Sequence, residues 1–414
     1  MANTDIKWFS FDNTNAPQLT NTWGCLIDVL DACLVTGFGS QLVSNMTIID
    51  GVGTATFGSN HNFKQFQVIE LSGSTIPELN KEFKILGITS NKIEFVVNLP
   101  DQTVTGTISA KLASLGWTKA FSGTQKAVYQ AKDKIANPYF LRVDNSRDPV
   151  YTTTYAKFAK VGILESCSGI DDLSGNQAPY LTSSPTKNWI GTGSGNSAIS
   201  GWFKWYYSAL NNVNSGTYSE AHTPDEGLRS WVLVGNEKSF YFMPSFLPTS
   251  KADYLKNTYG FAVSKKDQRI KQTILAASIK DTPASSTIYY SSALTNLASL
   301  SFAGIRNIKS ELVNTKFVGH FGAFGSSSGN NETLTLDISD GLLISQVFLK
   351  DQSGYFSGEL DIIQFIFYDI SSQPAISTYS QDDQAYLICQ TVFQPENNYG
   401  FKRGGWCFNL GELL

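Results

Sequence analysis

The chain has 414 residues, of which 42% are hydrophobic and 13% aromatic, and this composition excludes an intrinsically disordered protein. The formal net charge is −4 and no long run of lysine or arginine occurs, which argues against nucleic-acid binding because phosphate neutralisation requires a basic surface. Charged residues make up only 16%, so Ser, Thr, Asn, Gln and Gly must cover much of the surface. Such a surface is typical of β-rich proteins that stay packed against neighbours, and an ordinary neutral surface is also compatible with it.

Cysteine usage and the N-terminus indicate assembly in a reducing compartment. The first seven residues are polar and acidic and lack the basic and apolar regions of a signal peptide. No stretch approaches 18 uninterrupted apolar residues, so we expect no membrane span. The cysteines are odd in number and form no C-x-x-C motif, which favours free thiols over disulfide, zinc or redox chemistry; they are Cys25, Cys33, Cys167, Cys389 and Cys407.

The first predicted element is a helix over residues 21–36. Apolar residues recur there at helical spacing and form one stripe, made of Leu26, Val29, Leu30, Cys33 and Leu34. Thr22 is the predicted N-cap and Gly37 the predicted C-terminal stop. The stripe is too short for a coiled coil, so we expect the helix to pack on a sheet.

Short strands at about ten-residue spacing follow as far as residue 112, and this spacing indicates a small barrel or sandwich. Ile93, Phe95 and Val97 alternate with other residues, so one face of such a sheet is buried. Turn-forming residues, among them Gly51 and Gly53, separate the strands. The predicted strands are 46–50, 54–58, 66–71, 83–89, 92–98 and 104–111.

Beyond residue 115 the chain returns to strand-like segments separated by polar loops. Residues 235–238, Gly-Asn-Glu-Lys, predict a hairpin, and residues 191–196 predict a loop. No fixed-period repeat is present, so solenoids and propellers are disfavoured. The predicted strands are 126–130, 139–143, 153–159, 231–234, 240–243, 274–279, 287–290, 317–324, 334–338, 342–349, 362–368, 385–392 and 405–410.

Two aromatic segments supply the candidate partner contacts. Residues 202–207, Trp-Phe-Lys-Trp-Tyr-Tyr, would place Trp202 and Trp205 on opposite faces of a strand, where burial in a core or a subunit interface is favoured over a sugar-stacking platform. Glycine recurs at every third position of residues 319–325, which predicts either a contact loop or, with more weight, a kinked strand with core aromatics. The possible partner contacts are Trp202, Trp205, Phe321 and Phe324.

No constellation of residues predicts catalysis, metal binding or a cofactor. The three histidines, His61, His222 and His320, are far apart and match no metal-binding pattern. The G-x-S-x-G match at residues 325–329 is followed by two asparagines and a strand-like run, so a loop is favoured over a nucleophile elbow. Adjacent acids such as those at 171–172 are typical of solvated loops. We therefore predict no catalytic, metal-binding or cofactor-binding residues.

Several landmarks of the first 245 residues form a recognisable set. They are residues 7–10 (KWFS), 16–19 (APQL), 26–39 (LIDVLDACLVTGFG), 116–124 (GWTKAFSGT), 126–129 (KAVY), 139–144 (YFLRVD) and 231–235 (WVLVG). These segments resemble a widespread, mostly uncharacterised family of tailed-phage and prophage proteins whose members appear among virion structural genes. The resemblance is thinner beyond residue 245, where the family's usual ending is missing and residues 406–408 are only loosely similar.

The resemblance also implies an inserted module. In relatives of this family the Gly-Phe-Gly stretch runs almost straight into Gly-Trp, whereas residues 40–114 lie between them here. The module resembles the small β domain of ubiquitin-activating enzymes called the first catalytic cysteine half-domain, at residues 53–57, His61, Phe63 and 68–73. This resemblance implies a fold and no chemistry. The predicted domains are 1–39 plus 115–245 as a first β-rich body, 40–114 as an inserted small β-barrel module, and 246–414 as a C-terminal β-rich domain.

We therefore expect a mainly β fold with a minor α component: a short N-terminal helix, the inserted small β-barrel and a larger β-sandwich-like body. The resemblance implies a non-enzymatic structural component of a tailed bacteriophage virion, at the neck or collar, tail or baseplate, or decorating the head. It would dock in many copies to other virion proteins and to itself, with no nucleic acid, membrane or cofactor, after assembly in the bacterial host cytoplasm.

Two other function classes stay open. A receptor- or glycan-binding adhesin at the tail tip, with host surface glycan as its partner, would be favoured by a shallow aromatic groove with converging polar groups. An enzyme such as a depolymerase would require a cleft that holds two acids about 5–9 Å apart.

Overall fold

The computed structural model describes residues 2–180, 182–209, 217–220, 222–251, 257–265, 271–279, 287–289, 301–305, 312–318, 344–350, 356–366, 370, 372–394 and 402–413. Strands account for 49% of the structure and helices for 6%, and the antiparallel sheets curl into half-barrels. The predicted mainly β fold class with a short N-terminal helix is therefore confirmed. Within these ranges no helix is both long enough and apolar enough to cross a membrane.

Twenty-nine strands, all paired antiparallel, follow one another through the described ranges. They are β1 Lys7–Ser10, β2 Phe38–Ile49, β3 Val52–Phe57, β4 Val68–Ser74, β5 Glu82–Lys84, β6 Gly87–Ile88, β7 Lys92–Val96, β8 Gln102–Val104, β9 Gly106–Leu112, β10 Thr118–Gly123, β11 Lys126–Gln130, β12 Phe140–Asp144, β13 Lys157–Leu164, β14 Gln177–Ala178, β15 Phe203–Ser208, β16 Thr217–Ser219, β17 Trp231–Gly235, β18 Phe240–Pro244, β19 Tyr259–Lys265, β20 Lys271–Ala276, β21 Ser278–Ile279, β22 Thr287–Tyr289, β23 Ser301–Ile305, β24 Leu312–Val318, β25 Ile344–Lys350, β26 Phe356–Ile366, β27 Ile376–Gln381, β28 Gln384–Gln394 and β29 Lys402–Glu412. The helical segments are α1 Cys25–Leu30, a π-helix Asp31–Thr36, and two 3₁₀ turns, Pro77–Leu79 and Gly195–Ser197.

The N-terminal helix consists of α1 and the π-helix that continues it, and every side chain of the predicted apolar stripe is buried. Gly37 ends it at φ 67°, a conformation that glycine adopts without steric penalty, as predicted. The predicted N-cap, Thr22, is wrong. The N-cap residue is Gly24, at φ 95°, and no side chain caps the helix. A Cβ at this position would lie 2.7 Å from the Gln125 side chain, so the packing favours glycine there.

Strands β2 to β9 form an eight-stranded sheet from one continuous stretch of sequence, residues 38–112. The strand order is β5-β4-β9-β2-β3-β7-β6, with β8 beside β2. Phe38 lies opposite Leu112, so the chain enters and leaves the sheet on adjacent strands. β5 and β6, at the two ends of this order, are separated by only two residues: Ile85 exchanges hydrogen bonds with the segment that leads into β4, and the Leu86 N–H donates to Glu94 of β7, so residues 82–88 connect the two ends. This curled sheet is the half-barrel.

Two larger sheets contain most of the other strands. The twelve-stranded sheet has the order β1-β17-β18-β19-β20-β23-β24-β25-β26-β29-β28-β27, and the seven-stranded sheet has the order β10-β11-β12-β13-β15-β21 with β14 beside β13. The predicted hairpin is confirmed, because Gly235 lies opposite Phe240 at the end of the β17–β18 pair. The strand predicted at 153–159 lies at Lys157–Leu164 instead. Every residue of β13 is buried, so the sequence lacks the alternation of buried and exposed residues that would have marked the bounds of this strand.

The half-barrel shares a hydrophobic core with the rest of the chain. One core cluster joins Met46 of the half-barrel to Leu26 of the helix and Trp205 of the seven-stranded sheet. A second cluster, around Trp406, takes in Phe66 of the half-barrel. The half-barrel is thus packed against the body, and the twelve-stranded sheet has strands on both sides of residue 245. The predicted division into three domains stays a prediction.

Candidate functional site

The outer face of the half-barrel is the set of nine side chains on β2, β3 and β7 that point away from the core. Intervening residues of the same strands, such as Met46, Ala55 and Phe95, are buried on the inner side. Seven of the nine carry no charge, and the other two have opposite charges. The outer face consists of Asn45, Thr56 and Lys92 in one row, Thr47, Thr54 and Glu94 in the next, and Ile49, Val52 and Val96 in the third.

The third row is an apolar row of β-branched side chains open to solvent. Ile49 is 60% exposed and Val52, directly opposite, is 37% exposed, while Val96 is partly buried. Leu42 and Ile88 of the same module are also exposed. Soluble proteins commonly expose single apolar residues, but a cluster of them on a nearly neutral sheet face is typical of an interaction surface.

Trp205, predicted as a possible partner contact, lies in the core. Its side chain is fully buried, its indole Nε1 donates to the Ala276 carbonyl over 2.8 Å, and its ring stacks on Tyr259 with centroids 5.9 Å apart. A partner cannot reach this ring. Trp205 is therefore a core residue, as one of the alternatives for the aromatic segment predicted, and is neither a sugar-stacking platform nor a partner contact.

Trp202 is partly buried immediately before strand β15. The ammonium group of Lys187 lies 4.6 Å from the centroid of its ring, and Phe203 packs edge-on against it. The cation therefore occupies a face on which a sugar could stack. Phe321 and Phe324, like the strand predicted at 334–338, lie outside the described residues.

A buried ionic cluster lies on one face of the seven-stranded sheet. Asp144 lies opposite Lys160, and Lys160 lies opposite Lys204, so charged side chains form a row across β12, β13 and β15. The Lys160 Nζ is 3.4 Å from Oδ2 of Asp144 and 3.4 Å from Oδ2 of Asp148. All four residues are at most 5% exposed. Buried charges are tolerated only when they are paired in this manner.

Asp148 ties the covering loops to the sheet. Its Oδ2 accepts hydrogen bonds from the Ser200 hydroxyl at 2.7 Å and the Gly191 N–H at 2.9 Å, and its Oδ1 accepts one from the Val150 N–H at 3.2 Å. Burial alone would raise the pKa of Asp148, but these hydrogen bonds and the charge of Lys160 hold it below the usual value. The carboxylate is therefore ionised and acts as a structural anchor.

Arg142 extends the cluster towards the surface. Its guanidinium stacks on Trp189, 4.4 Å from the ring centroid, and donates to Asp171 over 3.0 Å. The hydrogen bond from Lys126, followed by the charges of Lys126 and Arg142, holds the pKa of Asp171 below its usual value. Gly162 beneath the indole is required by packing, because a Cβ there would lie 2.6 Å from the Trp189 ring.

Lys204 and Glu220 form a second buried ion pair within this cluster. The two side chains are 0% and 3% exposed, and Nζ lies 2.6 Å from Oε1. Three aromatic rings surround the ammonium, with the centroids of Phe158, Tyr151 and Tyr206 at 4.2, 5.5 and 5.8 Å. The Tyr151 hydroxyl donates to Oε2 over 2.9 Å, and the Tyr206 hydroxyl donates to Oε1. Burial, reinforced by Glu220, raises the pKa of Tyr151, so its hydroxyl remains a proton donor.

Sequence reasoning missed this cluster because lysine is normally placed in solvent. The available signal was a lysine inside an otherwise apolar run, as in residues 157–164 (KFAKVGIL) and 203–208 (FKWYYS). A lysine that interrupts a buried strand needs a buried carboxylate. Asp148 and Glu220 come from loops, so no local spacing connects them with Lys160 and Lys204.

A polar cavity of about 270 Å³ lies beside strand β26. Residues 360–363 bulge there opposite a single residue of β25, and Ile362 has φ 60°, which is strained for a β-branched residue. Asp361 is held by Lys238 at 2.8 Å and Lys265 at 3.5 Å. Among the residues that the structure describes, those lining it include no aromatic side chain; they are Lys265, Gln346, Glu359, Leu360, Asp361, Ile362, Ile363, Gln364 and Asn409.

His61 is buried inside the half-barrel and has a structural role. Its Nδ1 accepts the Phe63 N–H at 2.9 Å, its Nε2 lies 3.2 Å from the Lys92 carbonyl, and its ring stacks on Phe63. Burial lowers its pKa, which favours the neutral imidazole. His222 is exposed, and His320 lies outside the described residues. In the part of the chain that the structure describes, no three His, Cys, Asp or Glu side chains gather into a metal site.

The fold and these sites define a mainly β protein of curled antiparallel sheets, with a neutral outer face on the half-barrel and an ionic cluster buried in the body. No protein-family model matches the chain, and no curated protein matches it.

Proposed function

We propose that the chain is a non-enzymatic structural component of a tailed bacteriophage virion that docks in many copies to other virion proteins and to copies of itself. The observation that carries this proposal is the outer face of the half-barrel, which is nearly neutral and ends in an apolar row. The resemblance of residues 7–10, 16–19, 26–39, 116–124, 126–129, 139–144 and 231–235 to a family of tailed-phage and prophage proteins supports the same role. A place at the neck or collar, tail or baseplate, or head surface fits it, after assembly in the host cytoplasm.

The composition of the outer face suits repeated docking. Burying threonine hydroxyls costs less than burying unpaired charges, and the apolar row gains about 25 cal/mol for each Å² removed from water. The cores of protein interfaces are depleted of charge in the same way. Each contact is small, so its strength in an assembly comes from the number of symmetric copies.

Two observations favour docking over the alternative of a glycan-binding adhesin. Trp205 is buried, and Lys187 covers Trp202, so the aromatic segment presents no open ring. The described residues around the cavity at β26 supply polar groups and no aromatic ring, and lysines already hold Asp361 there. Engagement of this carboxylate in ion pairs also supports a non-enzymatic role over general acid catalysis.

The proposal is tested by placing charge in the apolar row. Phage particles carrying the paired substitution Ile49→Lys and Val52→Lys should incorporate the protein at least about tenfold less well, since about 1.4 kcal/mol lost per contact has that effect. The matched control is Ile135→Lys, because Ile135 is 92% exposed and lies in the loop between β11 and β12, outside the half-barrel. Normal incorporation of the doubly substituted protein, with its fold intact by circular dichroism, would contradict docking through this face.

A second experiment separates the three function classes. Purified protein incubated with host envelope polysaccharide should neither bind nor cleave it, and a virion reconstruction should show the outer face against a neighbouring subunit. Retention on the polysaccharide would support the adhesin, and turnover would support an enzyme. An outer face open to solvent in the virion would also overturn the proposal.

A further inference from the structure

The Lys204–Glu220 pair has the composition of a reactive site as well as that of an ion pair. The amine and the carboxyl group are in direct contact, and both are sealed from solvent. The three surrounding rings supply a medium in which charge is costly, and the two tyrosine hydroxyls are aimed at the carboxyl oxygens. Lysine amines act as nucleophiles when they are desolvated in such surroundings.

We propose that Lys204 and Glu220 condense to form an intramolecular isopeptide bond. This modification lies beyond the proposed docking function and does not depend on it. A bond between these residues would covalently join strand β15 to the segment 217–220. This segment includes β16, which pairs with β22, and the Glu220 carbonyl accepts a hydrogen bond from the Ala156 N–H.

The reaction proceeds by proton transfer and acyl substitution. A proton passes from the Lys204 ammonium to the Glu220 carboxylate along their contact, giving a neutral amine and a neutral acid. The amine lone pair attacks the carboxyl carbon, and Tyr151 stabilises the developing charge on Oε2. The proton on nitrogen then passes to Oε1, which lies 2.6 Å from it and to which Tyr206 donates a hydrogen bond, and Oε1 leaves as water. One C–N bond forms, one C–O bond breaks, nothing is oxidised or reduced, and no co-reactant is required.

Burial supplies the driving force for condensation. Two opposite charges held in a low-dielectric site carry a desolvation penalty, and the amide that replaces them is neutral. The water released leaves for bulk solvent, and the sealed site slows its return. In unfolded chains the same two groups are hydrated and charged, so the reaction requires the folded cage.

Lys160 provides a matched comparison inside the same cluster. It is also buried, but it lies 3.4 Å from each of two carboxylates, those of Asp144 and Asp148. Arg142 lies beside Asp144 as well, and hydrogen bonds hold the pKa of Asp148 low, so that Asp148 is ionised. An ionised carboxylate is a poor electrophile. Lys160 should therefore retain a free amine.

Mass spectrometry of the full-length wild-type protein tests the inference. The folded protein should be lighter than its sequence mass by one water molecule. After denaturation and trypsin digestion, cleavage should fail after Lys204 and proceed after Lys160. Residues 188–229 should then be recovered as one peptide that the link closes into a loop between Lys204 and Glu220, so that single backbone cleavages inside the loop release no fragment.

Variants identify the source of the missing water. Lys204→Arg, which keeps the charge but removes the nucleophile, and Glu220→Ala should both have their full sequence masses, and Tyr206→Phe should lower the cross-linked fraction. Loss of water with normal cleavage after Lys204 would indicate dehydration elsewhere, such as an aspartate succinimide, and would overturn the assignment. A full sequence mass for the wild type, both fresh and after prolonged incubation, would leave the pair as an ordinary ion pair and also refute the bond.

Discussion

Replacing Lys84 by methionine is expected to remove a pH-dependent part of the stability of the protein. Lys84 lies on β5 of the half-barrel, is 2% exposed, and its Nζ donates a hydrogen bond to the Leu410 carbonyl on β29. Burial lowers the pKa of Lys84 from 10.5 to about 8, although the charge of Asp5 opposes this. The folded protein therefore binds this proton less tightly than the unfolded chain does.

The direction of the pH effect follows from proton binding in the two states. Below pH 8 the lysine is protonated in both, so it adds no pH dependence, whereas between pH 8 and 10.5 the unfolded chain binds more protons. The free energy of unfolding must therefore rise with pH across this window. At about 1.4 kcal/mol per pH unit, Lys84 contributes a rise of about 3 kcal/mol, which then levels off.

Urea unfolding followed by tryptophan fluorescence measures this contribution. Burial lowers the pKa of Lys157 to about 8 as well, so the effect of Lys84 is obtained from the difference between the wild type and Lys84→Met. The free energy of unfolding of the wild type minus that of Lys84→Met should rise by about 3 kcal/mol between pH 8 and 10.5, and Lys132→Met, at an exposed position, is the matched control. A difference for Lys84→Met that stays constant over this range would refute the reasoning.

Two further substitutions test the packing of the body. Trp205→Ala should lower the free energy of unfolding by about 3–5 kcal/mol, because it removes a fully buried ring, and Trp202→Ala should cost clearly less; equal losses in urea titrations would contradict the assignment of Trp205 to the core. Gly162→Ala should cost about 1–3 kcal/mol, because its Cβ would lie 2.6 Å from Trp189, whereas Gly169→Ala has open space and should be nearly neutral in thermal unfolding; a neutral Gly162→Ala would show that the indole can move aside.

Local patterns were sufficient for many elements of the fold. The strand predicted at 126–130 matches β11, and the hairpin at 235–238 joins β17 to β18, because short apolar runs and turn residues act through near neighbours. The apolar stripe of the N-terminal helix is likewise a matter of spacing alone. The π-helical geometry from Asp31 onwards, and the use of Gly24 in place of Thr22 as N-cap, leave no signal in that spacing.

The sequence by itself therefore determined the β class of the protein and the composition of its surface, since both follow from residue types and their order. Only the tertiary structure decided which lysines are buried and which residues are brought to one site. Lys160 and Lys204 can lie in the interior because Asp148 and Glu220 reach them from loops. A buried charge is stable only when such a partner arrives, and a pairing across distant segments leaves no periodic trace along the chain.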